Sequence, residues 1–365
     1  MGSLSVQVPD DEALLGRMMA DLTRSDALYQ PTNYWAYFER YLLPELKQHG
    51  LCDFRRRRDS VLSSFGGTDL RARGVFEVAP SVPGSGRIAA VLNRVVTALP
   101  SVRLGVWGSK PEWFTKFFYQ YVKRKFDALG LALDRCGTSA HGNPEDLVEI
   151  DGALWSVMHL QYCSMLVDAL GHIPLHEDAV VCELGAGLGR NIEALAHLFP
   201  RATLLLFDIP PQLYVANQYL ISVFGERAVG YAEAVSIVPG CALPDSVRGK
   251  IVILPSWRLP DWPRVRIDLF WNSASFQEME PDVVLNYLEL VRRMSPRWVY
   301  INAQPAGNYW GEWKPGRGGT KAPVYDRYYY EALGTAYELQ TSYPTDYFLR
   351  AQDHTSYIFN RVSEP

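Results

Sequence analysis

Val180-Val181-Cys182-Glu183-Leu184-Gly185-Ala186-Gly187-Leu188-Gly189-Arg190-Asn191 is the stretch on which the reading of this chain turns. A valine-rich apolar run ends in an acid and a Gly-x-Gly-x-Gly turn. Ile192, Leu195, Ala196 and Phe199 then follow near helical spacing, which predicts strand, tight turn and helix. Glycines in such a turn permit positive φ and let a ligand lie against bare main chain. The free N–H groups at the helix start favour polar or anionic ligand atoms, so the stretch reads as a cofactor cradle.

The glycine spacing narrows the choice of cofactor. A dinucleotide fingerprint wants Gly-x-Gly-x-x-Gly, and the position of its third glycine is Arg190 here. Beyond the cradle, Leu204-Leu205-Leu206-Phe207-Asp208 predicts a second buried strand ending in an acid. Asp208 suits the ribose of a nucleoside and by itself fits either S-adenosylmethionine or a nicotinamide dinucleotide. The run from Glu183 through Gly185, Gly187 and Gly189 resembles the Glu-x-Gly-x-Gly-x-Gly loop of class I methyltransferases. That resemblance implies a Rossmann-like fold with S-adenosyl-L-methionine as cofactor and S-adenosyl-L-homocysteine (SAH) as product.

At 365 residues the chain has room for two domains, or for one large domain with a cap. No apolar run approaches the ~20 residues that span a bilayer, and the acidic start Met1 to Glu12 lacks a signal-peptide core, so cytoplasm is expected. Cys52, Cys136, Cys163, Cys182 and Cys241 are scattered and without Cys-x-x-Cys spacing, which indicates neither a disulfide framework nor a structural zinc site. The net charge of −4 argues against a nucleic-acid surface. Arg55 to Arg58 is the one basic run; a solvated face explains it, with an anion contact as the minor alternative.

Outward from the cradle, apolar spacing predicts helices through Leu14 to Leu22, Tyr34 to Leu46, Arg87 to Leu99, Pro111 to Leu129 and Leu154 to Leu170. Residues 1–135 are therefore expected to form a helical cap or dimerisation domain, and 136–365 the cofactor-binding domain. After Asp208, Pro210-Pro211 opens another helix. Strands are expected at 251–254, 267–271, 298–302 and 356–362, alternating with helices. This pattern predicts a doubly wound, mostly parallel α/β sheet. Methyltransferases of this class close their sheet with an antiparallel strand, and the resemblance implies one at the C-terminus.

Ligands of open α/β sheets sit beyond the carboxyl ends of the strands. Those ends are Glu183 to Asn191, Asp208-Ile209, Ser256-Trp257 and Asn272-Ser273-Ala274-Ser275-Phe276-Gln277-Glu278-Met279. In order, Gly142-Asn143-Pro144, the His159-Leu160 helix, Glu183 to Gly189, Asp208-Ile209-Pro210, Tyr219-Leu220 and Asn272 with Ser275-Phe276-Gln277-Glu278-Met279 resemble the sugar O-methyltransferase family of natural-product and polysaccharide pathways, over roughly residues 140 to 305. The resemblance implies methyl transfer to a hydroxyl of a deoxysugar or glycoside. On it, Glu183, Gly185, Ala186, Gly187, Gly189, Asn191, Asp208, Ile209, Ser256, Trp257, Asn272 and Ser273 are expected to hold the cofactor. Asn143, Tyr162, Ser275, Gln277, Tyr309, Trp310 and Trp313 are expected to face the acceptor.

Methyl transfer to an alcohol is an in-line displacement that needs a base for the hydroxyl proton. Glu278 is the first candidate, with His159 and His354 as alternatives. No carboxylate pair or His-Glu-x-x-His suggests a metal, so none is expected. A small-molecule acceptor is the expected partner, with neither nucleic acid nor membrane; a homodimer through the helical domain is expected by analogy. The alternatives are O- or N-methylation of a nonsugar metabolite, a nicotinamide-dependent oxidoreductase or epimerase, and a binding module without catalysis.

Overall fold

The valine-rich run is a strand, as its pattern predicts, and the sheet is laid out on either side of it. In a computed structural model of the chain, residues 6–57, 62, 112–240, 242–262, 265–307, 319–345 and 354–362 are described. Their strands are β1 (Val148–Ile150), β2 (Ala153–Trp155), β3 (Val180–Leu184), β4 (Thr203–Asp208), β5 (Ala228–Val229), β6 (Ile251–Pro255), β7 (Leu269–Ser273), β8 (Trp298–Ala303), β9 (Tyr337–Pro344) and β10 (Thr355–Arg361). Their helices are α1 (Glu12–Arg24), α2 (Asn33–His49), α3 (Glu112–Ala128), α4 (Val157–Leu170), α5 (Arg190–Leu198), α6 (Gln212–Phe224), α7 (Tyr231–Ala234), α8 (Pro281–Met294) and α9 (Arg327–Leu333). The predicted helix at 87–99 lies outside the described residues.

Eight strands form one sheet in the order β5-β6-β4-β3-β7-β8-β10-β9. All pairs from β5 to β8 are parallel, while β10 runs antiparallel to both β8 and β9. The chain leaves β3 toward β4 and β6, then returns to the other side of β3 as β7. The strand order therefore reverses between β3 and β7, and the crevice outside their carboxyl ends is where such sheets bind ligands.

Every residue of β4, β6 and β8 is buried, because helices cover both faces. Successive side chains go to opposite faces. Leu204, Leu206, Ile251, Ile253, Trp271 and Tyr300 join one apolar cluster; Leu205, Phe207, Val252, Leu254, Phe270 and Val299 join the other. The first cluster is continuous from Val8 through Leu15, Met18, Leu42, Leu46, Phe118 and Phe126 to the sheet, so α1, α2 and α3 pack in the same core as β3 and β4. Polar ties add to this packing. Tyr214 Oη of α6 accepts the Asp11 N–H at 2.7 Å, and Tyr231 Oη donates to Asp21 Oδ2 at 2.8 Å.

The antiparallel C-terminal strand is present as β10, and β9 pairs beside it in a stretch whose sequence pattern predicts no strand. Along β9 less and more exposed positions alternate, with Tyr337 alone fully buried, and the run Tyr-Glu-Leu-Gln-Thr-Ser-Tyr-Pro carries only two aliphatic or aromatic residues in its first half. The 227–249 stretch contributes the edge strand β5 and the single-turn helix α7.

Candidate cofactor and acceptor site

The crevice at the β3/β7 reversal is an open-mouthed cavity of about 190 Å³. Its floor is the turn after β3. Gly185, Gly187 and Gly189 have φ of 75°, 57° and 82°, values that a side chain would strain. A Cβ on Gly185 would also collide with Ser275 Oγ on the loop after β7, so the two strand-end loops approach as closely as they do only because this residue is bare. Gly189 is a packing glycine: its Cβ would meet Leu220 and Leu206, and its N–H donates to Ala186 O at 2.9 Å as α5 begins.

Two buried acids face this floor. Glu183 Oε1 accepts from Asn191 Nδ2 at 2.8 Å, while Glu183 Oε2 and Asn191 Oδ1 have no hydrogen-bond partner. Burial pushes the Glu183 carboxyl up to about 8, against the stabilising bond from Asn191. Asp208 Oδ2 accepts the Gly187 N–H and Oδ1 the Ile209 N–H, both at 2.7 Å. Burial nevertheless raises its carboxyl to about 7. Arg190, at the first turn of α5, lies over the Tyr162 ring with its guanidinium carbon 6.0 Å from the centroid.

The opposite wall comes from the start of the chain. Tyr29, Gln30, Thr32 and Trp35 line the cavity with Met158, Tyr162, Met279, Val283 and Tyr287. Thr32 Oγ1 donates to Glu278 O at 3.0 Å, and the Tyr29 ring packs edge-on to Tyr287 at 5.8 Å between centroids. Sequence spacing gave no sign of this wall, since the contact joins segments far apart in the chain. The aromatic density of Tyr34-Trp35 to Tyr37-Phe38 was its one visible trace.

Of the residues expected at the site, Tyr162, Glu183, Gly185, Ala186, Gly187, Asn191, Asp208, Ile209, Ser256, Ser273, Ser275 and Glu278 line the cavity together. Others do not. His159 is wholly buried in α4, its Nε2 2.6 Å from Cys136 O, and burial lowers its imidazole to about 4. It is a core histidine, not a base at the cavity. His354 is buried against Gln277, with 3.0 Å between Gln277 Nε2 and His354 Nε2, and Gln277 Oε1 accepts the Gln304 N–H at 2.8 Å. That pair braces the ends of β8 and β10. Asn272 likewise serves the backbone, donating to Leu184 O at 2.9 Å and accepting from Phe276 N at 3.2 Å. Asn143 accepts the Val6 N–H at 2.8 Å and bonds Asp53, away from the cavity. Trp257 packs half-buried against the apolar core. Tyr309, Trp310 and Trp313 lie outside the described residues. Glu278 sits on a 3-10 turn (Phe276–Glu278) before α8.

Among the described residues, no group of His, Cys, Asp and Glu is placed to hold a metal ion, and no helix is long and apolar enough to cross a membrane.

No protein-family model and no curated protein sequence matches the chain. Among solved structures it is similar to the mitomycin 7-O-methyltransferase MmcR, at 12% identity over 56% of this chain and 57% of that one, with a TM-score of 0.34. It is also similar to magnesium protoporphyrin IX methyltransferase (ChlM) from Synechocystis with bound SAH, at 13% identity over 56% and 83% of the two chains and a TM-score of 0.38. A third is PigF with SAH, at 13% identity over half of each chain and a TM-score of 0.33. The match thus spans little more than half the length of MmcR and half that of PigF. Likenesses of this size say nothing of substrate. The fold stands on the chain's own strand order: a doubly wound, mostly parallel sheet, closed by an antiparallel strand and flanked by helices, as the class I methyltransferase resemblance implies.

Proposed function

We propose that this chain is an S-adenosyl-L-methionine-dependent O-methyltransferase acting on a small hydroxyl-bearing acceptor. The observation that carries the reading is the pair of buried oxygens, Glu183 Oε2 and Asn191 Oδ1, that have no hydrogen-bond partner on two residues lining one cavity. Buried acceptors of this kind call for a ligand rich in N–H donors, and a carboxyl raised to about 8 gains most from a cation. The ammonium group of the cofactor meets both demands.

The cofactor's sulfonium supplies the methyl group. Glu183 and Asn191 would hold its ammonium end and Asp208 would accept from its ribose hydroxyls, with the bare backbone at Gly185 and Gly187 admitting the chain between them. Glu278, on the acceptor side of the cavity, takes the hydroxyl proton as the new bond forms. Tyr29, Trp35 and Tyr162 give the acceptor an aromatic wall. A deoxysugar or glycoside fits that wall through its apolar C–H faces and matches the sequence resemblance; a nonsugar hydroxyl is the alternative acceptor.

Calorimetric titration with SAH, with NAD as control, tests the reading. Micromolar SAH binding without an NAD signal supports it. Binding no tighter than millimolar, worth only ~4 kcal/mol, overturns it.

A further inference from the structure

Gln212 opens α6, four residues after Asp208, and lines both the main cavity and a small apolar one bounded by Leu42, Phe54, Leu62, Gly187 and Leu188. It is only 6% exposed, and neither its Nε2 nor its Oε1 has a hydrogen-bond partner. The other two amides of the same helix are bonded: Asn217 Oδ1 accepts the Tyr231 N–H at 2.7 Å, and Gln218 Nε2 donates to Pro9 O at 2.8 Å. A buried carboxamide with both ends unsatisfied opposes folding, so Gln212 contributes nothing to the ligand-free structure that an apolar side chain would not.

We propose that Gln212 reads the ribose of the nucleoside cofactor, donating from Nε2 to one hydroxyl oxygen and accepting at Oε1 from the other hydroxyl. The inference rests on the S-adenosyl reading above. Ionised Asp208 can only accept, and its two oxygens already receive the Gly187 and Ile209 N–H groups. A vicinal diol presents lone pairs as well as protons, and it needs a donor beside that acid. Gln212 is the side chain at the entry turn of α6 that carries one.

The test uses Gln212→Met, which keeps the volume and removes both polar ends. Melting temperature is measured without ligand, and dissociation constants are measured for SAH and for its 2′-deoxy and 3′-deoxy analogues, on wild type and variant. The expected variant melts no lower than wild type and binds SAH about tenfold more weakly. It also discriminates against at least one deoxy analogue less than wild type does. A lowered melting temperature, unchanged SAH affinity, or full wild-type discrimination against both analogues overturns the assignment. Wild type that fails to bind SAH overturns the cofactor reading and this one together; wild type that binds while Gln212→Met is indifferent overturns only this one.

Discussion

Asp208 Oδ2 accepts the backbone N–H of Gly187 at 2.7 Å, so the acid that ends β4 is fastened to the middle glycine of the turn after β3. Asp208 therefore has a structural duty as well as a ligand-facing one. Asp208→Ala leaves two half-buried N–H groups, those of Gly187 and Ile209, without their acceptor, and is expected to cost about 1–3 kcal/mol of stability as well as SAH affinity. Asp208→Asn keeps one acceptor oxygen and should lose less stability. Denaturant unfolding beside calorimetry on both variants separates the two duties.

Gly185 is held to its identity twice, by its φ of 75° and by Ser275 Oγ. Gly185→Ala is expected to lose roughly 1–3 kcal/mol and most SAH binding, because the loops after β3 and β7 must part. Adding Ser275→Gly relieves the collision and leaves the backbone strain. The double variant should recover part of the stability in a denaturant series, and full recovery would contradict a backbone contribution.

The acids set the pH response. Unfolded Asp and Glu titrate near about 4, whereas Asp208 and Glu183 in the folded chain titrate at about 7 and about 8. Between those limits the folded state holds protons that the unfolded state has lost, so these groups make ligand-free stability fall as pH rises from about 4 to about 8. A cationic ligand favours the carboxylates. SAH affinity should accordingly rise from pH 6 to 8, with proton release visible as a buffer-dependent binding enthalpy at pH 6.5. A flat profile would exclude Glu183 as the ammonium partner.

Glu278 and His159 are told apart by the same logic. Glu278→Gln is expected to lower methyl transfer about 10²–10⁴-fold at unchanged SAH affinity. His159, neutral above about 4 and bonded to Cys136 O, should behave oppositely. His159→Ala is expected to lower stability by about 1–3 kcal/mol while protein that remains folded keeps its SAH affinity and the pH profile of turnover. Single-turnover transfer beside thermal unfolding distinguishes them.

The sheet was largely legible in the sequence, because buried parallel strands show as apolar runs ending in acid, glycine or asparagine. β3, β4, β7 and β8 are of this kind, and β6 is an apolar run that ends in Pro255. What the sequence hid is depth and long-range contact. His159 on an apolar helix face looks the same whether it opens on a cavity or on a backbone carbonyl. Gln212 follows two prolines and looks like an ordinary helix start until its lack of partners is seen. Tyr29 and Trp35 sit in an amphipathic helical region whose cavity-facing side depends on where α8 and the loop before it lie.

The bond from Thr32 Oγ1 to Glu278 O joins positions 246 residues apart. The two halves of the pocket are thus distant in the chain, and closing so long a loop is an entropic debt that grows only slowly with length but must be met before the contact rewards it. The turn after β3 can form from local sequence, whereas the aromatic wall waits for the first and last thirds of the chain to meet. Competence to bind an acceptor is consequently a late event in folding, and a chain arrested earlier would carry a glycine turn with no roof.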